Sequence, residues 1–273
     1  MTPPRDDPPL GFTVDALLAK ARGGGPLRIG LVPLTEADWL EPAPDLSARS
    51  EAFDAYPDSV QVRPEGEAAS RELGAMLGVS GGIEAAARAH WEDMCLMVRR
   101  AGEDVYRLAA AAVAFPTDWR PADKMGLPLA AMHAPIDGYE EQLSTGVDRF
   151  MAKLKAGRIY GRSNWFVVPD GGLRHLPAED DPGFEGVTTE TAGVRLFVRC
   201  ERQTLRRLPE TGAILFTIGV HLEPVGNAGL AGTEKLVAAV ASLPEGERRR
   251  RGADQFEAAL RGYAAKRGCI VKE

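Results

Sequence analysis

The sequence predicts an α+β domain, an antiparallel sheet of about five strands with helices gathered toward both ends of the chain. Three observations carry that expectation. Two runs, residues 194–198 and 214–218, alternate apolar and polar with period two around a polar segment, Glu201 to Thr204, as the strands of a hairpin do. Stretches with helical periodicity lie before and after a strand-like middle that surrounds one long helix, rather than alternating with the strands. The phosphate loops of a parallel nucleotide-binding sheet, GxGxxG and GxxxxGK[ST], do not occur, nor does GxSxG.

Taken in order, residues 1–12 are Pro-rich and expected to be poorly ordered, leaving a single domain over 13–273. Thr13 is placed to cap a short helix, VDALLAKA, which Gly23, Gly24 and Gly25 stop. Trp39 and Leu40 read as anchors of a segment packed on the body, and residues 42–64, punctuated by proline, read as irregular. A helix is predicted over 67–77 and a second over 83–100, where Ala87, Trp91, Met94, Cys95 and Val98 recur at helical spacing beside His90. Residues 105–115, VYRLAAAAVAF, are ambiguous because alanine fills their middle; Phe115-Pro116 and the turn chemistry that follows favour a strand. The clearest helix spans 139–155, with Tyr139, Leu143, Val147, Phe150, Met151 and Leu154 in one stripe. Residues 158–168 return to strand character, Gly161 marking a bulge or a close approach. Thr233 is expected to cap a helix through Leu243, and another helix spans 254–266.

Composition narrows the function classes. The 273 residues, 44% hydrophobic and 26% charged, suffice for a substantial core, and the net charge of −6 is spread along the chain. Nothing asks for nucleic acid: the one basic cluster, 248–251, reads as a solvated loop, as does the acidic cluster at 179–181. Cys95, Cys200 and Cys269 are too scattered for a disulfide framework, and without CxxC pairs the chain holds no cysteine-ligated iron–sulfur cluster. With no apolar run of about 18 residues and no signal-peptide pattern, a soluble, cytoplasmic protein is expected.

Four histidines leave few candidates for imidazole chemistry. His133 has the distinctive context, an apolar flank followed by Pro135, which suits a rigid turn projecting one imidazole into a cavity, as axial ligation of a haem iron requires. A structural side chain is the commoner outcome for such a histidine. His221 and His175 read as open to solvent, and no HxH or HxxxH spacing supports a multi-histidine metal site. Arg195, Arg199 and Glu201 fall on the polar face of the first hairpin strand, which either meets water or lines a polar site. Arg162, Asn164 and Trp165 place polar groups among aromatics in the same way; arginines from both regions facing one cavity would bind carboxylates, or else form an ion-pair network with Glu201.

The pieces DWL (38–40), FPTDW (115–119) with KMGLPL, MHAPI (132–136), GRSNWFV (161–167) and VRCERQTLRRLPETGAILFTI (198–218) run in one order across most of the chain. In them the chain resembles the haem-dependent oxidative N-demethylase family, specifically its haem-binding alpha subunit. The resemblance implies a PAS-like fold enclosing a non-covalent haem b. It implies oxidation of small methylated amines such as dimethylamine with O2, releasing formaldehyde. NADPH, a flavin (FMN) and an iron–sulfur cluster are then expected only on separate reductase chains. His133 corresponds to the expected proximal iron ligand. Arg162, Trp165 and Arg199 are the expected cofactor-binding residues, and Glu201 and Arg202 the expected catalytic pair. In two places the motif differs: Asp137 follows HAPI where a second proline is usual, and His221 stands where an aromatic is usual. The other class open to such a chain is a non-catalytic haem-binding PAS-like sensor or carrier.

Overall fold

In the computed structural model, which describes residues 10–20, 29–134, 145–178 and 180–270, seven strands form one antiparallel sheet. The chain begins with α1 (Val14–Lys20), β1 (Val32–Leu34), α2 (Ser47–Ala55), β2 (Val60–Val62), α3 (Glu67–Met76) and α4 (Ile83–Ala89). It continues with β3 (Asp93–Arg99), β4 (Tyr106–Ala112), α5 (Pro121–Lys124), α6 (Leu129–Met132), α7 (Thr145–Lys153) and β5 (Ile159–Val168). The last part comprises α8 (Ala192–Arg195), β6 (Phe197–Arg207), β7 (Ile214–Pro224), α9 (Leu230–Ala241), α10 (Glu245–Arg250) and α11 (Ala253–Lys266). The sheet order is β1-β5-β6-β7-β3-β4-β2. The sheet therefore has seven strands rather than the expected five or so: five long central ones, of which β3 falls in a stretch read as helical, and two three-residue strands at the edges.

Helices cover both faces. On one, α1, α9 and α11 bury Trp165, Val167, Val198 and Cys200, while α3 and α4 bury Met94, Leu96, Ala110 and Ala112 beside Trp39 and Phe53. On the other, α6 and α7 pack over Cys95, Met97, Leu108, Leu205 and Ile214. Residues 108–114 are at most 1% exposed, so β4 is enclosed from both sides and its alanines let the layers close tightly despite their helical preference. All three cysteines are free and buried. No helix among the described residues is long and apolar enough to cross a membrane.

Several local expectations are corrected. The stripe over 83–100 divides: His90 turns extended, its Nδ1 2.9 Å from the Ala86 carbonyl oxygen, and the chain continues as β3, whose first five residues are buried on both faces and so show no alternation. Residues 42–64 hold α2 and β2 rather than irregular chain. Val194 and Arg195 belong to α8, with Arg195 exposed, and the polar segment Glu201 to Thr204 lies inside β6 rather than at the hairpin turn. That turn comes at 208–213, where Gly212 takes φ 69° and Glu72 of α3 accepts from the backbone N–H groups of Glu210 and Thr211 at 2.7 and 2.8 Å. Thr233 sits within α9, its hydroxyl donating to Gly229 O. The basic cluster forms α10 and its end, where Glu247 pairs with Arg250 and Arg251. Of the helix expected over 139–155, residues 145–153 are α7; 139–144, Pro135, Asp137, Gly23 to Gly25 and Glu179 lie outside the described residues.

Candidate functional site

Strand alternation assembles the site. The continuous pairing of β6 with β5 and β7 sets Arg199, Glu201 and Gln203 on one face with Phe166, Asn164 and Arg162 on one side and Leu222, Val220 and Ile218 on the other. This face is not solvated: Arg199 is 0% exposed and Glu201 7%. Buried charge persists where it is hydrogen-bonded, and here one chain of bonds links three sequence motifs. Arg162 Nε donates to Gln203 Oε1 at 2.7 Å, Gln203 Nε2 donates to Glu201 Oε2 at 2.8 Å, and Thr117 Oγ1 donates to Glu201 Oε1 at 2.7 Å. Thr117 Oγ1 in turn accepts from Arg199 Nε at 2.8 Å.

Arg199 has every donor engaged. Besides Thr117, its Nη1 faces the carbonyls of Gly172 and Leu173 and its Nη2 those of Phe115 and Pro116. Burial lowers its pKa, and the Glu201 charge acts to restore it. The guanidinium therefore staples two loops and orients Thr117 beneath Glu201.

His133 follows α6, directly beyond Met132 on the helix that packs over this face. Its Nδ1 lies 2.9 Å from Leu129 O, which in the neutral ring makes Nδ1 the donor and sets the tautomer. Burial first, then the charges of Arg162 and Lys124, hold the imidazole pKa down to about 4 against the Leu129 bond, so the ring is neutral at pH 7. Lys124 donates Nζ to Met132 O at 2.7 Å and so ties the end of α6 to α5.

The structure sets Arg162, Arg199 and Glu201 on one face of β5 and β6 and Arg202 and Trp165 on the opposite face, while His133, at the end of α6, feels the charge of Arg162. Adjacent strand residues point apart, so Glu201 and Arg202 share no cavity. Arg202 donates to the carbonyls of Asp38 and Trp39 and stacks 4.2 Å from the Phe12 ring centroid, which gives the DWL segment its role as a clamp on β6. Trp165 lies in the helical core, its ring 5.1 Å from the Arg251 guanidinium. His221 and His175 are enclosed rather than open, their side chains 10% and 11% exposed. Thr117 and Gln203 were not singled out from the sequence. Period-two counting from Glu201 identifies Gln203, whereas Thr117 comes 84 residues earlier and had no such signal.

Residues 49–261 match the family model described as haem-dependent oxidative N-demethylase, alpha subunit-like. The chain belongs to that family. No match is found among curated proteins. The matched span contains His133, the whole Arg162–Gln203–Glu201–Thr117–Arg199 chain and every strand except β1. Haem dependence, which the family name carries, can be tested on the residues themselves. An axial imidazole must be neutral, with its second nitrogen's proton held by a carbonyl or carboxylate, and His133 with Leu129 meets both requirements. Among the described residues no three His, Cys, Asp or Glu side chains are grouped to hold a metal ion, an arrangement that ligation of haem by one imidazole does not need.

Proposed function

We propose that the protein N-demethylates a small secondary or tertiary amine, dimethylamine-like, using haem b, O2 and electrons from a separate NADPH-dependent reductase carrying a flavin (FMN) and an iron–sulfur cluster, and releases formaldehyde. The observation that carries this reading is the neutral His133 imidazole, its proton held by Leu129 and the Arg162 charge felt at the ring, inside the family match. Bound haem would supply the iron that activates O2. His133 Nε2 would hold that iron. Arg162, whose charge is felt at the imidazole, would pair a propionate carboxylate. Glu201 would receive the protonated amine: each oxygen already accepts one hydrogen bond, and a carboxylate offers about four acceptor positions. Arg202 and Trp165 would act from the other face by fixing β6 and β5. The seven-stranded sheet, with α5, α6 and α7 inserted between β4 and β5 on the site face, supports a PAS-like reading of the fold. Location in the cytoplasm belongs to the same reading.

The test is haem content and turnover measured together. Purified protein is expected to carry haem with a Soret band that His133→Ala abolishes, and chemically reduced protein mixed with O2 and dimethylamine is expected to release formaldehyde. Unchanged haem stoichiometry in His133→Ala removes the ligand assignment. Haem binding with no formaldehyde removes the enzyme and leaves a carrier or sensor.

A further inference from the structure

β3 pairs with β7 only as far as Ile218, and from Gly219 to Pro224 β7 continues with β6 alone. Trp91 covers the open side, its Nε1 donating to Val220 O at 3.0 Å. Beside this notch lies a cavity of about 340 Å3, with Phe12, Glu41, Asp45, Trp91, His221 and Glu223 among its lining residues.

Among the described residues, four of the six buried side-chain polar atoms without a hydrogen-bond partner, those of Glu41, Glu92, Arg202 and His221, gather at or beside this cavity. His221 is nine-tenths buried, lines the cavity and has no hydrogen-bond partner at Nε2; Glu41 Oε2 lies 3.7 Å from that nitrogen and also has none. Behind them Glu92 is 0% exposed: its Oε1 accepts from Glu41 N at 2.8 Å, but Oε2 has no partner. Leaving such acceptors buried and unmatched costs about 1–3 kcal/mol each, more when charged, which favours a ligand that brings donors. A Cβ at Gly219 would touch His221 Nε2, Glu92 Cγ and Trp91 Cδ1 at 3.5, 3.6 and 3.6 Å, so these three side chains converge on the space that glycine leaves.

The acceptors are not grouped to hold a metal ion. Against Glu41, Glu92, Asp45 and Glu223 stand two guanidinium groups, Arg202, whose Nε is also unpartnered, and Arg49, which is already paired with Asp93. Two aromatic rings, Phe12 and Trp91, complete the wall, and aromatic faces attract cations. The sign of the charge, the unmatched acceptors and the rings favour one ligand chemistry.

We propose that this cavity binds a compact organic cation with N–H donors, a primary or secondary alkylammonium or a guanidinium-type group, between Glu41 and His221 with Glu92 behind. The pKa of Glu41, raised to about 7 by burial first and by the Glu92 charge second, is what an acidic site lacking its cation shows. The proposal does not rest on the haem reading: the site lies where β7 outruns β3, and Phe12 and Glu41 both precede the family match.

Calorimetric titration with methylammonium, guanidinium and tetramethylammonium tests it, on the wild-type chain and on His133→Ala. Methylammonium and guanidinium are expected to bind saturably, with Kd of roughly millimolar or tighter, at a site that Glu201→Gln leaves intact. Tetramethylammonium, which has no N–H, is expected to bind at least about tenfold more weakly. Glu41→Gln and Gly219→Ala are each expected to weaken methylammonium about tenfold. The added methyl of Gly219→Ala makes only ordinary contacts, so that variant tests occlusion in a folded protein. The same binding is expected in His133→Ala, which separates this site from the haem reading. Absence of saturable binding, tetramethylammonium binding as tightly as methylammonium, unchanged affinity in both variants, or loss of binding in His133→Ala would each overturn the assignment.

Discussion

Glu201 and Arg202 are neighbours in the sequence and strangers in the fold, one in a buried carboxylate network and the other clamped by Asp38 and Trp39 on the far face. The same alternation makes Arg199 sensitive to substitutions that keep its charge. Its five donors reach five acceptors, a pattern a planar guanidinium fork can satisfy and an ammonium cannot. Arg199→Lys is therefore expected to destabilise the protein by about 3 kcal/mol or more, read from urea denaturation, because buried carbonyls lose their donors. A loss within about 0.5 kcal/mol would show that water replaces the fork. His221 offers a pH signature. Burial first, then Arg202, lowers its folded pKa to about 4 from an ordinary 6.5, so between those values the unfolded chain binds the proton and the folded protein does not. The stability it contributes is complete above about 6.5 and lost as the pH falls toward 4. Glu41, raised from 4.5 to about 7, works in the opposite direction and destabilises as the pH rises through that window. His221→Phe is expected to flatten the acid-side fall in the urea midpoint, and Glu41→Gln to steepen it; parallel profiles for wild type and His221→Phe would contradict the shift.

At the scale of elements, Gly161 marks the point where β5, β1 and the chain before α1 meet. A Cβ there would fall 2.7 Å from Leu34 Cδ1, 2.8 Å from Leu10 Cδ1 and 3.2 Å from Gln203 O, while the β5–β6 register runs through without a bulge. The close approach anticipated from the sequence is the one present. Gly161→Ala is expected to cost about 1–3 kcal/mol by displacing β1 from the edge of the sheet, measured as a lowered urea midpoint. A neutral result would mean that the two leucines rotate aside. Other elements were legible for physical reasons of the same kind. Thr13 heads α1, its hydroxyl 3.3 Å from Ala16 N; the stripe over 67–77 is α3; the alanine-rich run before Phe115-Pro116 is β4. β3 was not legible, because burial on both faces erases period two and leaves spacings that mimic a helix. The β6–β7 turn was misplaced because a strand carrying buried Glu201, Arg202 and Gln203 looks like a loop until its partners are known, and those partners lie in segments distant along the chain.

Across the whole molecule, haem binding and folding must be linked if His133 holds the iron. The imidazole sits at the end of four-residue α6, tied by Lys124 and packed over the apolar face of β4 with α7, so it exists as a ligand only when those elements are docked. A ligand that binds the folded state alone stabilises by RT ln(1 + [L]/Kd), about 2.7 kcal/mol at a concentration a hundredfold above Kd. For a chain of this length that corresponds to a rise in Tm of roughly 5–10 °C. Haem added to haem-free wild-type protein is expected to produce that rise. His133→Ala should show none, while Glu201→Gln should keep it and lose formaldehyde release, since the carboxylate is assigned to the amine and not to the iron. A shift of equal size in His133→Ala would mean that haem enters without that imidazole. A shift lost in Glu201→Gln would mean that the buried chain from Arg162 to Arg199 seats the porphyrin itself, and the division of labour between the histidine and the carboxylate would have to be redrawn.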